Sequence, residues 1–168
     1  GLNVTVENAG VSGDTSAGGR ARLGWLLGAT RALQPDAVPD AVIVELGIND
    51  ALRGFDPEVT QANLDAILAE LKARDIPVLL AGMRAPPNLG AAFVQRFDAI
   101  YPRLAARHGI PLYPFFLEGV AAVRALNLPD GLHPNADGIA EITRRITPAA
   151  AELVRTAEEK RGRGRERK

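Results

Sequence analysis

The stretch Asp40-Ala41-Val42-Ile43-Val44-Glu45-Leu46-Gly47-Ile48-Asn49-Asp50 decides the fold class. Its first seven residues form a nearly continuous β-branched and aliphatic run, the pattern of a parallel strand buried on both faces. The run stops at a glycine followed by turn-forming polar residues. Downstream, Asp56-Pro57 reads as a helix start, and Leu64, Ile67, Leu68 and Leu71 recur at i, i+3, i+4 and i+7 on one face. Ile76-Pro77-Val78-Leu79-Leu80-Ala81-Gly82 is the next strand, then comes a helix with Phe93, Phe97, Ile100, Tyr101 and Leu104 that ends at His108-Gly109. Ile110-Pro111-Leu112-Tyr113 is a further short strand. Upstream, Leu2-Asn3-Val4-Thr5-Val6-Glu7 alternates apolar and polar residues as a strand does, and Thr15 or Ser16 can cap a helix carrying Leu23, Leu26, Leu27 and Leu33 that Pro35 ends. After Tyr113 the chain reads as irregular, with a weak helical piece, until Asn135, which can cap a last helix bearing Ile139, Ile142, Ile146 and Leu153. Four strands separated by helices predict an α/β domain with a parallel sheet and right-handed crossovers.

Composition narrows the function classes. The chain has 168 residues, 46% of them hydrophobic and 24% charged, enough for one domain with a core that needs neither metal nor disulfide. Formal net charge is zero, so no global field steers the chain toward nucleic acid or an acidic membrane. The segment 158–168 carries six basic and three acidic residues with no apolar residue, which predicts a disordered basic tail behind a domain spanning 1–157. With no cysteine, thiol nucleophiles and zinc-thiolate sites are excluded. No apolar run is long enough to span a bilayer, so no stable membrane insertion is expected, and no signal-peptide pattern opens the chain. Because the chain starts on Gly1 and enters an alternating strand at once, it reads as a piece cut from something longer.

Ligands of open α/β sheets sit outside the carboxyl ends of the strands, which draws attention to the loops there. Asp130-Gly131-Leu132-His133 can bring a carboxylate to the imidazole Nδ1–H, fixing the tautomer and leaving Nε2 as a general base; the same tetrapeptide also suits a plain helix-entry turn. His108 lies at a helix C-terminus, where a cation has a structural reason, and two histidines this far apart do not suggest a metal site. Asn49, just past a buried strand, can aim an amide N–H at developing negative charge or can simply make a turn. In Gly10-Val11-Ser12-Gly13-Asp14-Thr15, the spacing is wrong for a hydrolase nucleophile elbow. A phosphate-loop reading would put the Asp14 carboxylate in an anion site with no Lys or Arg close in sequence. A backbone N–H donor at Gly13 is the better use of that glycine.

Taken together, Asn8 to Ser16, Val44 to Phe55, Pro114 to Leu117 and Asp130 to Asn135 resemble, in order, the later blocks of the SGNH (GDSL) hydrolase family, and most of all its small bacterial thioesterase, arylesterase and lysophospholipase branch. The resemblance covers about residues 3–155. It implies a flavodoxin-like three-layer α/β/α fold with a mainly parallel sheet, and hydrolysis of esters or thioesters through a Ser/His/Asp triad without a cofactor. It further implies His133 as base, Asp130 as its orienter, and the Gly13 N–H and Asn49 side chain as oxyanion donors. Leu52, Arg53, Gly54 and Phe55, with Arg84, Ala85, Pro86 and Leu89, match the family's substrate-cleft loops, although Arg84 could equally pin its own loop. Many members of that branch are exported to the periplasm.

One departure stands out. The family's serine lies in a Gly-Asp-Ser block at the end of its first strand, and no Gly-Asp-Ser occurs here. The two serines, Ser12 and Ser16, both belong to the Gly13 block. The expectation is a domain without the family's first strand, whose nucleophile lies upstream of Gly1. A degenerate module that binds acyl or sugar ligands without hydrolysing them is the alternative, and a nucleic-acid role would rest on the basic tail alone.

Overall fold

The computed structural model describes residues 2–33 and 38–166. Three parallel strands, β1 (Val42–Glu45), β2 (Val78–Ala81) and β3 (Leu112–Tyr113), lie in that spatial order, with Val42 opposite Val78 and Leu80 opposite Leu112. The central place falls to β2, whose four residues are all buried. The helices are α1 (Ser16–Leu33), α2 (Ile48–Leu52), α3 (Pro57–Ala73), α4 (Ala91–Asp98), α5 (Ile100–His108) and α6 (Ala136–Glu166).

Alternate residues of β2 serve opposite faces, as strand geometry requires. Val78 and Leu80 join the main core cluster with Leu23 and Leu27 of α1, Leu64, Ile67, Leu68 and Leu71 of α3, and Tyr101 and Leu104 of α5. Between them, Leu79 is buried outside that cluster, as are Val120 and the α6 residues Ile142, Leu153 and Ala157. α1, α3 and α5 pack side by side with α3 in the middle, while α6 packs on β2. The result is the expected α/β layering with a parallel sheet.

Local chemistry explains the helix ends. The Thr15 hydroxyl accepts from the Gly18 N–H at 3.2 Å, and the Asp56 carboxylate accepts from the Glu58 N–H at 2.9 Å with Pro57 in the first turn. The Asn135 side chain accepts from the Gly138 N–H at 3.0 Å. Pro35, expected to end α1, lies outside the described residues.

Five expectations need correction. Leu2 to Glu7 forms no strand: the segment is exposed and unpaired, because period-2 alternation stabilises a strand only where a neighbouring strand takes its backbone groups. The sheet among the described residues therefore has three strands, not four. β1 is not buried on both faces, since Ile43 is 45% exposed on this edge strand. The helix predicted from Phe93 to His108 is two helices that meet at Ala99, because Pro102 has no N–H to give the Asp98 carbonyl. Ile139 is 57% exposed, so it is not part of the buried face of α6. Finally, the stretch from Glu158 is not a disordered tail but the continuation of α6 to Glu166. Lys160 is held by the Asp75 carboxylate and carbonyl, and Arg161 pairs with Asp40 at 3.3 Å. An established helix extends at little cost per residue, so anchored ends can stay helical without apolar side chains.

Candidate active site

β1 runs directly into Gly47, whose φ of +117° is closed to most L-residues. A Cβ there would lie 2.4 Å from the Tyr101 hydroxyl oxygen, which donates to the Leu46 carbonyl at 2.9 Å. This tight exit starts α2 at once and turns its side chains to the Gly13 loop. The Asn49 amide donates to the Asp14 carbonyl at 2.9 Å, and the Arg53 guanidinium donates to the Gly13 carbonyl at 2.8 Å. Gly13 itself sits at φ +73°, with the Asp14 N–H returning to the Val11 carbonyl at 3.1 Å. Among the described residues the Gly13 N–H makes no hydrogen bond, and an amide NH2 has a second hydrogen beyond the one Asn49 gives Asp14.

Asp14 is not without a cation. Arg22, two helical turns into α1, binds its carboxylate at 2.8 Å and the Ala9 carbonyl at 2.6 Å. The compensating cation stands eight residues along the chain and reaches Asp14 because α1 brings its side chain back to the loop.

Beneath the loop lies a polar cluster that the sequence reading missed. Asp50, fully buried, accepts from the Ser16 N–H at 2.8 Å, the Ser16 hydroxyl at 2.5 Å and the Thr60 hydroxyl at 3.4 Å. Asn63 donates to Ser16 Oγ at 3.1 Å. Ser16 is thus closed to solvent, while Ser12 is exposed in the Gly13 turn. The signal available was an Asp directly after Asn49, which reads equally well as turn chemistry.

Asp130 and His133 meet as their spacing predicts. Gly131, at φ +70°, turns the chain, and the Leu128 N–H donates to the His133 carbonyl at 2.7 Å to close the loop. One carboxylate oxygen of Asp130 accepts from the N–H groups of Leu132 and His133 at 2.9 and 3.0 Å; the other takes the imidazole Nδ1–H at 2.7 Å. These donors, led by the His133 backbone N–H, hold the Asp130 carboxyl down at about 2. Nε2 has no partner among the described residues, and the imidazole is 71% exposed. No hydrogen bond or ion pair among the described residues joins this pair to Gly13 or Asn49.

The remaining candidates separate by surroundings. Leu52 and Phe55 are 45% and 42% exposed beside Gly54, which has φ +71°. Arg84 lies 4.9 Å over the Phe115 ring, a contact between its loop and the segment after β3. The Ala85 N–H donates to Asp98 at 2.8 Å, and Pro86 accepts from the Leu89 N–H at 3.1 Å in a single 3₁₀ turn. Arg53 donates to the Gly13 carbonyl, which ties the start of its loop to the Gly13 turn. His108 bonds to Asp65 at 2.6 Å with only 10% of its side chain exposed, tying α5 to α3. No described helix is long and apolar enough to cross a membrane.

Comparison with known proteins gives a consistent result. Residues 1–140 match the GDSL-like lipase/acylhydrolase family. Esterase TesA of Pseudomonas aeruginosa is 38% identical over 154 residues, which are 92% of this chain and 73% of that protein. Thioesterase 1/protease 1/lysophospholipase L1 of Escherichia coli is 44% identical over 134 residues, 80% of this chain; the chain thus spans 61% of that relative's length. The crystal structure of AlinE4, an SGNH-hydrolase family esterase, is 48% identical with a TM-score of 0.72, covering 90% of this chain and 77% of its own.

Proposed function

The chain belongs to the GDSL-like lipase/acylhydrolase family, and on that premise we propose that it supplies the general base and oxyanion donors of a serine esterase whose nucleophilic serine lies outside residues 1–168. The substrates are carboxylic esters or thioesters of aryl-ester, acyl-CoA or lysophospholipid type. The observation that carries the reading is the Asp130–His133 bond of 2.7 Å, backed by two N–H donors on the same carboxylate. A base must have its proton-accepting nitrogen free and its other nitrogen held, and this turn meets both demands.

In the proposed reaction His133 Nε2 takes the serine proton as the serine oxygen bonds to the acyl carbon. The resulting oxyanion accepts from the Gly13 N–H and the second Asn49 hydrogen. His133 then protonates the leaving alcohol or thiol as its bond to the acyl carbon breaks, and water repeats the sequence on the acyl-enzyme to release the acid. Leu52, Gly54 and Phe55, with Ala85, Pro86 and Leu89, line the acyl side of the cleft, Arg53 holding one loop and Arg84 the other. Neither serine of the chain fits the attack: Ser16 is buried on Asp50, and Ser12 would have to attack a carbonyl held by its own neighbour's amide. The open edge of β1, beside exposed Ile43, offers a pairing site for the strand that would carry the serine.

The test is hydrolysis of p-nitrophenyl acetate and butyrate by these 168 residues and by the chain extended through its upstream codons. Activity is expected from the extended chain alone and is lost when the serine of its Gly-Asp-Ser is replaced. A burst of acylation by the short chain, abolished in Ser12→Ala, would refute the proposal. A folded extended chain that binds ester without turnover would favour a non-catalytic acyl-binding module.

A further inference from the structure

We propose that Asp50 is a positioning residue that sets the separation of the two oxyanion donors by gripping Ser16. The inference rests on the oxyanion roles proposed above for Gly13 and Asn49. Asp50 follows Asn49 directly, and Ser16 stands three residues after Gly13, so the Ser16–Asp50 pair ties both donor positions across 34 residues of chain. It is the innermost of three ties between the same two segments, the others being Asn49 to the Asp14 carbonyl and Arg53 to the Gly13 carbonyl.

Energetics argue against a role in stability alone. Asp50 and Ser16 are each fully buried, and no Lys, Arg or His pairs with the Asp50 carboxylate among the described residues. Among the described residues, that carboxylate accepts hydrogen bonds only from uncharged donors, two from Ser16 and a longer one from Thr60. Burying a carboxyl group that only neutral dipoles solvate is costly, and an apolar pair of like volume would hold the segments together without that cost. Hydrogen bonds do what apolar contact does not: they fix distance and direction. At an oxyanion site that precision matters, since a displacement of about 1 Å can cost about 10²-fold in rate. Asn63 donates to Ser16 Oγ and Arg20 donates to Asn63 Oδ1 at 3.3 Å, so the hydroxyl has one orientation available, toward Asp50.

The experiment compares Asp50→Asn and Ser16→Ala with Asp65→Asn, a variant that removes the charge to which Arg107 and His108 of α5 bind on α3, away from the site. In Asp50→Asn one oxygen becomes an NH2 group that cannot accept from Ser16. Two readouts are taken: kcat and KM for p-nitrophenyl butyrate in the extended chain, and amide NMR of the Gly13 N–H and Asn49 side chain in the 168-residue chain. Expected are a fall in kcat of about 10²-fold for Asp50→Asn, and about 10-fold for Ser16→Ala, with KM within about threefold. Asp65→Asn lowers the melting temperature and leaves kcat in place. Shifted Gly13 and Asn49 resonances in Asp50→Asn accompany the loss. An unchanged kcat in folded Asp50→Asn, an equal fall in Asp65→Asn, or unmoved resonances would overturn the proposal. If the unmutated extended chain hydrolyses nothing, the esterase reading fails, while the NMR arm still decides whether Asp50 positions the two groups.

Discussion

Gly47→Ala should be among the most damaging single substitutions in the chain, and Tyr101 sets how damaging. At φ +117° an alanine is strained by about 1–3 kcal/mol. The new Cβ would also stand 2.4 Å from the Tyr101 hydroxyl and 3.2 Å from Thr60 Cγ2, so one neighbour must move, an overpacking cost of about 1–3 kcal/mol. The sum is about 2–6 kcal/mol, a large part of an ordinary domain's stability. Tyr101→Phe alone strands the Leu46 carbonyl and should cost about 1–3 kcal/mol. In the double variant the hydroxyl is gone and the nearest ring carbon is 3.6 Å from the Cβ, so the clash largely disappears while the strain stays. The double should therefore be less damaging than the two singles added, by about 1–3 kcal/mol. Urea unfolding of all four proteins measures this; a 4 kcal/mol loss lowers the midpoint by about 2 M at a slope of about 2 kcal/mol per M. Additivity within about 0.5 kcal/mol would refute the claim that Gly47 exists to admit the Tyr101 hydroxyl.

Asn49→Ala should lower turnover of the extended chain by about 10²- to 10³-fold if its amide serves the oxyanion, and unchanged turnover would leave it a turn residue. The Asp130 carboxyl, ordinarily near 3.8 and held at about 2 by the N–H groups and imidazole of its own turn, stays ionised well into acid. Its contribution to the turn is complete above pH 3.8 and disappears as pH falls through about 2; a carboxyl ¹³C titration with a midpoint at 3.8 or above would contradict the geometry. Leu64→Ala, at a fully buried position of α3, should cost about 2–5 kcal/mol in urea unfolding. Deleting residues 158–168 removes the Lys160 and Arg161 ion pairs, which are surface contacts worth about 0–1 kcal/mol each. Hydrolysis by the extended chain should survive that deletion, and DNA binding lost with the deletion would restore the nucleic-acid reading.

Much of this fold is legible because its signals are local. α3 declares itself through Asp56-Pro57 and a four-leucine-type face, all of it buried in the structure. The Asp130–His133 contact is legible for the same reason, since three residues and one glycine determine whether the side chains can meet. The failures are just as physical. Leu2 to Glu7 has the alternation of a strand, but alternation says nothing about whether a neighbour exists to pair with. The end of α6 lacks apolar residues, but anchoring by Asp40 and Asp75 involves partners 121 and 85 positions away. Pro102 was visible inside the predicted helix, and its missing N–H was enough to divide it.

Local signals in the sequence were enough for β1, β2, α3 and the caps at Thr15, Asp56 and Asn135, and for the polar residues that stand at the strand ends. Only the tertiary structure decided what those residues hold. It gave Asp14 the cation of Arg22, bound Arg53 to the Gly13 carbonyl, and buried Asp50 on Ser16. The reason is the range of the forces involved. Helix periodicity and turn chemistry act over a few residues, whereas a buried carboxylate is satisfied by whatever donors the packed layers bring to it, and their distance along the chain leaves no local trace.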